Sequence, residues 1–346
     1  MEPFSLKRLG RSEIELPRLG FGGAGLGNIF HSISENQSAA TVSAAWDAGI
    51  RYYDTSPWYG RGLSEHRIGH VLYDKPRAEV IVSTKVGRIF TAPTDPVAFA
   101  RSERVWPQGL QFQHHFDYSY EGIMRSYEDS LQRLGMNRVD LLIVHDLDRT
   151  SFASDELLRA HFHQLATGGM RALGDLKAAG LIRAIGVGVN RVGTIPQFLD
   201  VLDLDFFLVA LPYTLAEQPV LDVEFPLCVP RGIGIIIGAP LASGILATGA
   251  VPGAKLNYRD PTPEEAARIN RMEAVCRSFD VPLAAAALQF PLHHPLVACV
   301  IPGGFAPEHP ARNVETIRRD IPDELWIRLK REGLLREDAP TPGTGQ

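Results

Sequence analysis

Residues 140–145 read DLLIVH, an apolar run that ends on a histidine, and they set the pattern for the whole chain. A helical pattern over 155–179 follows, and the next apolar run is AIGVGV at 184–189. Because neither run alternates between apolar and polar residues, each predicts a strand that is buried on both faces of a parallel sheet. The succession of strand, helix and strand is typical of α/β proteins.

The same unit is repeated along the rest of the chain. The other predicted strands cover 19–27, 51–54, 80–86, 206–211, 233–237 and 298–301, and the other predicted helices cover 35–47, 64–73, 120–134, 194–202, 218–229, 263–279 and 307–319. Eight strand and helix units within roughly 300 residues match a (β/α)8 TIM barrel better than two doubly wound halves. We therefore predict one α/β barrel domain over 1–335, with its reactive groups at the carboxyl ends of the strands.

Three segments lie outside these units. Residues 6–19, with turn residues at Gly10 and Ser12, predict an N-terminal β-hairpin. Residues 87–119 form a long loop after the third strand, and their many aromatic residues favour an ordered lid over the active end. Residues 336–346, REDAPTPGTGQ, predict a flexible C-terminal tail.

The glycine-rich stretch GGAGLG at 22–27 invites comparison with the dinucleotide-binding loop of a doubly wound fold. That loop requires a helix that begins directly after the glycines, whereas NIFHSIS intervenes here before the helix at 35–47. We therefore interpret the stretch as the turn that ends the first barrel strand.

The composition excludes several classes of function. The 346 residues are 45% hydrophobic and 22% charged with a net charge of −5, so they predict a globular protein without the basic surface that attracts nucleic acid or anionic membranes. The cysteines at 228, 276 and 299 have neither zinc-site nor disulfide spacing, and we predict no metal. Since no signal peptide or membrane span is recognisable, we expect a cytoplasmic protein with a small-molecule substrate and leave its oligomeric state open.

Four ionisable side chains stand at or just beyond the ends of three predicted strands. Asp54 and Tyr59 belong to RYYDTSPWYG at 51–60, Lys85 ends VIVSTK, and His145 ends DLLIVH. A single ionisable residue at a strand end is usually solvated or structurally paired. A carboxylate, a phenol, an ammonium and an imidazole at one barrel mouth together predict proton transfer to or from an alcohol or carbonyl oxygen.

Each of the four residues has an expected role in that chemistry. A free phenol has a pKa near ~10, and a neighbouring ammonium stabilises the phenolate, so we expect Lys85 to lower the pKa of Tyr59. Asp54 is expected to pair with Lys85 and hold it in place. His145 is expected to donate a hydrogen bond to the substrate oxygen and orient it.

The motifs DTSPWYG, STKVG and VDLLIVHDLD resemble the aldo-keto reductases, which are (β/α)8 barrels that move a hydride between a nicotinamide cofactor and a carbonyl or alcohol. The resemblance implies that Tyr59 is the general acid/base and that Asp54, Lys85 and His145 support it. The stretches KVGRIF, FDYSYEGIMRSYEDSLQRLG and GAPLASGILATG resemble the sugar-oxidising branch, namely D-threo-aldose 1-dehydrogenases and L-fucose dehydrogenases, with pyridoxal 4-dehydrogenase as near kin.

The resemblance also implies cofactor-binding positions. Asn190 matches an asparagine that binds the nicotinamide carboxamide, and Tyr213 matches an aromatic ring that stacks on the nicotinamide. The glutamine that relatives often have three residues before that ring is Ala210 here. A loop of small residues after the seventh strand is expected to cover the pyrophosphate with backbone N–H groups, and it comprises Ala239, Pro240, Leu241, Ser243, Gly244 and Leu246.

The segment after the eighth strand departs from the family pattern. Many NADP-using relatives have a lysine and an arginine that hold the 2′-phosphate, whereas IPGGFAPEHPARN has Gly303 and His309 at those positions. We therefore predict a preference for NAD, with NADP still possible if Arg312 moves in to replace the lost charges. The predicted cofactor segment here comprises Gly303, Gly304, His309, Arg312 and Asn313.

Several alternatives remain open at this stage. Trp58 and Trp106 are candidates for the substrate pocket, since aromatic faces pack against sugar rings, and burial under the loop is the close alternative. Asn190 and Tyr213 are also compatible with ordinary turn and core roles. Oxidation of an aldose at C1 to the lactone is the predicted reaction. Pyridoxal oxidation and general aldehyde reduction are its rivals, and a non-catalytic cofactor-sensing subunit is the alternative of another class.

Overall fold

A parallel eight-stranded sheet organises this computed structural model, which describes residues 1–29, 31–102 and 105–343. Its strands, with those of two hairpins, are β1 (Leu6–Arg8), β2 (Glu15–Pro17), β3 (Phe21–Gly22), β4 (Tyr52–Asp54), β5 (Ile81–Val86), β6 (Arg88–Thr91), β7 (Gln113–Phe116), β8 (Leu141–Val144), β9 (Ala184–Val189), β10 (Phe206–Ala210), β11 (Gly234–Gly238) and β12 (Val297–Ile301). The sheet order is β12, β11, β10, β9, β8, β5, β4, β3. Parallel bridges from Leu19 to Val300 and from Gly22 to Gly303 join its two edges, so the predicted barrel is confirmed.

The helices lie outside the sheet. They are α1 (Glu35–Asp47), α2 (Leu63–Leu72), α3 (Pro96–Ser102), α4 (Tyr120–Leu134), α5 (Asp155–Gln164), α6 (Met170–Ala178), α7 (Ile195–Leu199), α8 (Glu224–Cys228), α9 (Ile245–Thr248), α10 (Pro263–Ser278), α11 (Leu283–Gln289), α12 (Glu308–Ile317) and α13 (Asp323–Arg331). None of the helices in the described ranges has the length and apolar character that crossing a bilayer requires.

Local capping explains why the long helices end where the sequence predicts. The hydroxyl of Ser119 accepts a hydrogen bond from the backbone of Gly122 at the start of α4, and Gly135 ends that helix with a left-handed φ of 64°. Thr262 and Glu265 form a reciprocal capping box at the start of α10. The predicted boundaries of these two helices are therefore right to within one residue.

Two predicted helices are shorter than expected. The predicted helix at 194–202 is only α7, and the one at 218–229 is divided into a 3₁₀ turn, Pro219–Leu221, and α8. Proline has no backbone N–H and fixes its own φ, so Pro219 and Pro226 each favour the beginning of a helix over its continuation. The single long helix predicted over 155–179 is α5 and α6 joined through a π-helical turn, Leu165–Gly169.

The N-terminal hairpin of β1 and β2 closes one end of the barrel. Leu9, Ile14 and Leu16 are buried in one cluster with interior side chains of the strands, among them Phe206. The turn at Gly10 lies so close to β11 that a Cβ there would come within 2.3 Å of a backbone nitrogen. The hairpin predicted from the sequence is confirmed and forms the floor of the barrel.

The long connection after β5 is an ordered hairpin in its described part. Strands β6 and β7 pair antiparallel, from Arg88 opposite Phe116 to Thr91 opposite Gln113, and α3 lies between them. Hydrogen bonding between the two strands holds this segment beside the carboxyl end of β5. The loop therefore delivers side chains to the mouth of the barrel.

The C-terminal segment packs on the barrel in its described part. Arg336 forms ion pairs with Asp222 at 2.6 Å and with Asp338 at 2.7 Å, and Ala339 is buried. The domain boundary at 335 stays a prediction. The burial of Ala339 corrects the expectation that the segment is a free tail.

Candidate active site

A buried ion pair lies at the base of the barrel mouth. The Nζ atom of Lys85 is 2.8 Å from one carboxylate oxygen of Asp54 and 3.1 Å from the other, and it also donates to the carbonyl of Thr55 at 2.7 Å. The hydroxyl of Ser83 donates to the same carboxylate at 2.7 Å. Both charged residues are at most 2% exposed, so each depends on the other for compensation of its charge.

Tyr59 lies directly beside this pair. The ammonium of Lys85 is 4.6 Å from the centroid of the Tyr59 ring, and the imidazole of His145 meets the ring edge-on at 6.2 Å. Strand β4 ends at Asp54, and Tyr59 lies in the turn that follows, where its backbone N–H donates to the carbonyl of Ser56 at 3.1 Å. The structure thus brings together the four residues that the sequence predicts to be catalytic.

Burial outweighs the expected effect of Lys85 on the pKa of the phenol. Burial raises the pKa of Tyr59 well above the ordinary phenol value, and the negative charge of Asp54 raises it further. Asp54 compensates the charge of Lys85, so the ammonium does not reverse this shift. Tyr59 is therefore a protonated acid at neutral pH.

His145 is a neutral imidazole in the same cluster. Burial lowers its pKa to about 3, and although Asp146 opposes this shift, the cations of Arg88 and Lys85 add to it. Its Nδ1 atom is 3.3 Å from the Ser56 hydroxyl and 3.4 Å from Nη1 of Arg88. A neutral imidazole with one ring N–H can donate a hydrogen bond to an oxygen without adding charge.

Aromatic side chains surround the catalytic groups. Trp58 and Trp106 meet edge-on at 6.2 Å, and Trp106 lies 6.1 Å from the Tyr59 ring. His114 from β7 packs on Trp58 at 4.7 Å. Both tryptophans predicted for the substrate pocket are therefore beside Tyr59, Trp58 half-buried and Trp106 fully buried.

The predicted cofactor residue Asn190 lies at the same mouth. It follows the last residue of β9, and its side-chain amide donates to the carboxylate of Asp146 at 3.2 Å. Since Asp146 directly follows His145, Asn190 is connected to the catalytic cluster through one carboxylate.

The loop after β11, predicted to cover the pyrophosphate, turns sharply at several residues. Ala239, Ser243 and Gly244 all have positive φ, at 48°, 64° and 108°, and such sharp turns form concave backbone surfaces. Of the residues predicted here, Pro240 is buried and Leu241 half-buried. Leu246 is corrected, because its side chain lies in the core and its N–H donates to the carbonyl of Leu241.

Tyr213 is the clearest correction to the predicted cofactor site. Its ring is fully buried, with the rings of Phe225 at 5.0 Å, Phe290 at 5.2 Å and His294 at 5.7 Å around it. A ring packed in this way has no face left for a nicotinamide. Tyr213 is a core residue that supports the loop after β10.

The segment after β12 leaves the two predicted phosphate positions without a cation. Gly303 is exposed and Gly304 is buried. His309 is half-buried against the ring of Phe305 at 4.6 Å, and burial lowers the pKa of its imidazole. Arg312 is exposed and Asn313 half-buried on α12.

Residues 18–331, most of the chain, match the aldo/keto reductase family. The chain belongs to this family. One relative is a pyridoxal 4-dehydrogenase from Microbacterium luteolum, which is 43% identical over 95% of this chain and 97% of its own length. Another is a D-threo-aldose 1-dehydrogenase from a Pseudomonas species, which is 37% identical over 95% of this chain and 96% of its own length.

A solved structure agrees with the fold of this aldo/keto reductase. An aldo-keto reductase from Bacillus halodurans in its holo form superposes with a TM-score of 0.73 at 24% sequence identity, over 96% of this chain and 97% of that one. Within the described ranges of the present enzyme, no cluster of His, Cys, Asp and Glu side chains is suited to hold a metal ion.

Three residues of this aldo/keto reductase site were not anticipated from the sequence. Arg88 and Asp146 form a buried ion pair at 2.8 Å beside His145. Both follow strand ends, so the rule that selected Lys85 and His145 could have found them. Tyr258 comes from the loop after α9 and adds to the raised pKa of Tyr59, and no local sequence signal places it there.

Proposed function

We propose that this aldo/keto reductase is a nicotinamide-dependent dehydrogenase that oxidises the anomeric carbon of a small aldose to the lactone. The observation that carries the proposal is the buried pair of Asp54 and Lys85 directly beside Tyr59. Bound nicotinamide would supply the acceptor for the hydride of C1. The residues of this chain would orient the hydroxyl group and move its proton.

In that reaction Tyr59 exchanges a proton with the C1 oxygen. Its raised pKa means that the phenol is protonated at neutral pH, which suits proton donation to a carbonyl in the reductive direction. Oxidation requires Tyr59 to accept a proton, and the ammonium of Lys85 at 4.6 Å from the ring stabilises the resulting phenolate. Oxidation should therefore accelerate as the pH rises, whereas reduction should slow.

The anomeric carbon is a suitable target because a cyclic hemiacetal presents one hydroxyl group and one apolar ring face. His145 would donate to the hydroxyl oxygen, and the half-buried Trp58 would contact the C–H face of the ring, with the buried Trp106 packed behind it. The position of Trp58 between the catalytic groups and the buried Trp106 supports this assignment.

NAD is the proposed cofactor. The donor set fits a nicotinamide dinucleotide, with the amide of Asn190 at the mouth and the sharply turned backbone from Ala239 to Gly244 at its rim. A 2′-phosphate would lack two charge-assisted hydrogen bonds at Gly303 and His309, each worth roughly 1.5 to 3 kcal/mol. We expect at least about tenfold lower catalytic efficiency with NADP than with NAD.

Pyridoxal is the second candidate substrate, because its hemiacetal offers the same chemistry and its ring is planar and aromatic. Two observations favour it. The relative that shares 43% identity with this chain is named a pyridoxal 4-dehydrogenase. The guanidinium of Arg88, stacked 4.4 Å from the centroid of the Trp58 ring, places a fixed positive charge beside an aromatic wall.

Initial rates of nicotinamide reduction test the proposal. L-fucose, D-arabinose, L-galactose, pyridoxal and simple aliphatic aldehydes would each be assayed with NAD and with NADP, and aldehydes also in the reductive direction. The proposal predicts the highest kcat/KM with an aldose and NAD. A clear preference for pyridoxal selects the second candidate, and activity with simple aldehydes alone selects a general aldehyde reductase.

Absence of turnover with the whole panel, together with intact cofactor binding, would favour a non-catalytic cofactor-sensing subunit.

The predicted preference for NAD has its own test in the paired substitutions Gly303→Lys and His309→Arg. They should raise kcat/KM with NADP and leave that with NAD nearly unchanged. The cytoplasmic location stays a prediction from the sequence.

A further inference from the structure

Asp146 adopts an unusual backbone conformation directly after the catalytic His145. Its φ is 51°, in the left-handed region that residues other than glycine seldom occupy. Successive side chains of an extended strand point to opposite sides, so an ordinary continuation of β8 would separate the two. With the chain turned here, the Asp146 carboxylate lies 3.5 Å from Nε2 of His145.

The carboxylate of Asp146 joins three functional groups. One oxygen pairs with Nη1 of Arg88 at 2.8 Å. The other accepts a hydrogen bond from the amide of Asn190 at 3.2 Å and is the one near His145. Backbone strain retained at such a junction indicates that the position of this carboxylate matters to the enzyme.

Arg88 lies between two aromatic rings on the Nδ1 side of the imidazole. Its guanidinium is sandwiched between the rings of Trp58, at 4.4 Å, and Phe116, at 4.5 Å, and its side chain is 6% exposed. Nη1 lies 3.4 Å from Nδ1 of His145. Its Nε atom is buried without a hydrogen-bond partner among the described residues, so contact with Asp146 and His145 is retained at a cost.

These contacts determine which ring nitrogen of His145 carries the proton. A guanidinium has only donors, so Nδ1 faces a donor and must offer its lone pair. The Ser56 hydroxyl, 3.3 Å from the same nitrogen, accepts a hydrogen bond from the backbone of Trp58 at 3.0 Å and can donate its own proton to Nδ1. The proton of the neutral imidazole therefore lies on Nε2.

We propose that Arg88 and Asp146 form a positioning pair that fixes His145 as the Nε2–H tautomer, so that the imidazole donates to the substrate oxygen. Arg88 occupies the Nδ1 side, and Asp146 anchors Arg88 and connects the imidazole to Asn190. The inference rests on the proposed function for the role of His145 towards substrate. The tautomer itself is a property of the protein without substrate.

The charges around His145 give the pair a second consequence. Lys85 on β5 and Arg88 on β6 oppose protonation of the imidazole, and Asp146 favours it. The other groups that face the ring or its backbone are neutral at physiological pH, namely the Tyr59 phenol, the Ser56 hydroxyl and the Tyr118 hydroxyl, which donates to the His145 carbonyl at 2.7 Å. Without Arg88, burial and Lys85 would still oppose protonation, but Asp146 would raise the pKa of His145 against less resistance.

Nitrogen-15 NMR of ring-labelled histidine tests the tautomer directly. Two-bond proton–nitrogen correlations distinguish Nε2–H from Nδ1–H, and the spectrum of His145→Gln assigns the signal of His145. We expect wild-type protein to show the Nε2–H pattern from about pH 6 to pH 8. An Nδ1–H pattern, or an imidazolium, in the wild type would overturn the proposal.

Steady-state pH profiles of Arg88→Met test the second consequence. We expect kcat to fall at least tenfold with a smaller change in KM, and an acidic limb to appear at a higher pH than in the wild type because the pKa of His145 rises. Adding Asp146→Asn should remove that limb, and Arg88→Lys should restore part of kcat. An unchanged profile and tautomer in Arg88→Met would contradict the positioning role.

Arg61→Met is the matched control, because it removes a guanidinium 5.2 Å from the same Trp58 ring and leaves the contact between Arg88 and His145 in place. It should produce no acidic limb. If Arg88→Met does not fold, the wild-type NMR measurement decides the question. Failure of the whole substrate panel would refute the proposed function while leaving the tautomer measurable, so the two proposals fail separately.

Discussion

The two ends of this barrel are built from the same eight strands, but they differ in the charges that they bury and in the backbone strain that they contain. At the floor, Leu9 and Leu16 of the hairpin pack into the barrel interior. At the mouth, the buried groups are ion pairs, such as that of Asp54 with Lys85. The floor gains stability from apolar burial, whereas the mouth keeps charges buried where chemistry requires them.

Backbone strain follows the same division. Gly10 and Gly232 have positive φ at turns of the floor, where glycine has no steric penalty. At the mouth, Asp146, Leu211 and Ala239 have positive φ directly after β8, β10 and β11. Left-handed backbone costs a residue with a side chain roughly 1 to 2 kcal/mol, so the mouth retains strain that the floor avoids.

The largest expected effect comes from removing the phenol at the mouth. Tyr59→Phe should lower kcat by about 10² to 10⁴-fold, because proton transfer by a positioned side chain contributes a factor of this order. Cofactor binding, measured by quenching of protein fluorescence, should be retained. Tyr53→Phe is the control, since the Tyr53 hydroxyl donates to the Ile50 carbonyl away from the site, and its kcat should stay within about threefold of wild type. A fully active Tyr59→Phe enzyme would refute the mechanism.

Breaking the buried ion pair at the mouth should lower the free energy of unfolding. Lys85→Met leaves the carboxylate of Asp54 buried and unpaired, and such a change costs about 3 to 5 kcal/mol in the free energy of unfolding. The double variant with Asp54→Asn should recover a large part of that loss without recovering activity. Urea denaturation measures the free energy of unfolding of both variants. A double variant no more stable than Lys85→Met would show that the unpaired charge of Asp54 is not the main cause of the loss.

At the floor, the same order of stability change should occur without loss of function. Leu16→Ala removes a fully buried side chain of the hairpin and should lower the free energy of unfolding by about 2 to 5 kcal/mol. The kcat of the folded enzyme should be unchanged. Leu6→Ala, at a position 62% exposed on the same hairpin, is the control and should change stability by less than about 0.5 kcal/mol. A lower kcat in Leu16→Ala would mean that the two ends are coupled.

Acid sensitivity should arise at both ends from buried histidines. Burial lowers the pKa of His145 at the mouth to about 3 and that of His294 before β12 to about 4, below the ordinary value of ~6.5. Between these values the unfolded chain binds more protons, so stability falls as the pH falls from about 6.5 towards 4 and is unaffected above that range. His145→Gln and His294→Gln should each reduce that slope by up to about 1.4 kcal/mol per pH unit, measured by urea denaturation. Only His145→Gln should also lower kcat.

The smallest expected effects come from exchanging strain between the two ends. Ala239→Gly at the mouth should raise the free energy of unfolding by up to about 1 kcal/mol, because glycine adopts its φ of 48° without strain. Gly232→Ala at the floor should lower it by about 1 kcal/mol, since the added Cβ has space but the φ of 62° is unfavourable. Thermal denaturation compares the two variants. Changes in stability of the same sign would show that backbone strain is not divided between the mouth and the floor in this way.

The sequence predicts most of the catalytic cluster for a physical reason. Asp54, Lys85 and His145 end apolar runs, and in a parallel barrel all strand ends meet at one mouth. The same rule applies to Arg88 and Asp146, which also follow strand ends, but only their neighbours Lys85 and His145 were predicted to be catalytic. Tyr258 had no such signal, because a loop far along the chain brings it near Tyr59.

The errors have a shared cause in burial. Tyr213 has the spacing of a stacking ring, but spacing does not tell which way a side chain turns after a strand ends, and its ring lies in the core. Lys85 was expected to lower the pKa of Tyr59, but the shift depends on how far Tyr59 is buried and how closely Asp54 compensates the ammonium.

The sequence by itself determined the order of the eight barrel strands, the closed barrel that follows from it, and the identity of the groups at the strand ends. These depend on periodicity and local capping, which are encoded within a few residues of each other. Only the tertiary structure decided the protonation state of Tyr59 and His145, the burial of Tyr213 and the pairing of Arg88 with Asp146. Those properties depend on desolvation and on charges from distant segments, and such distances exist only once the barrel has closed.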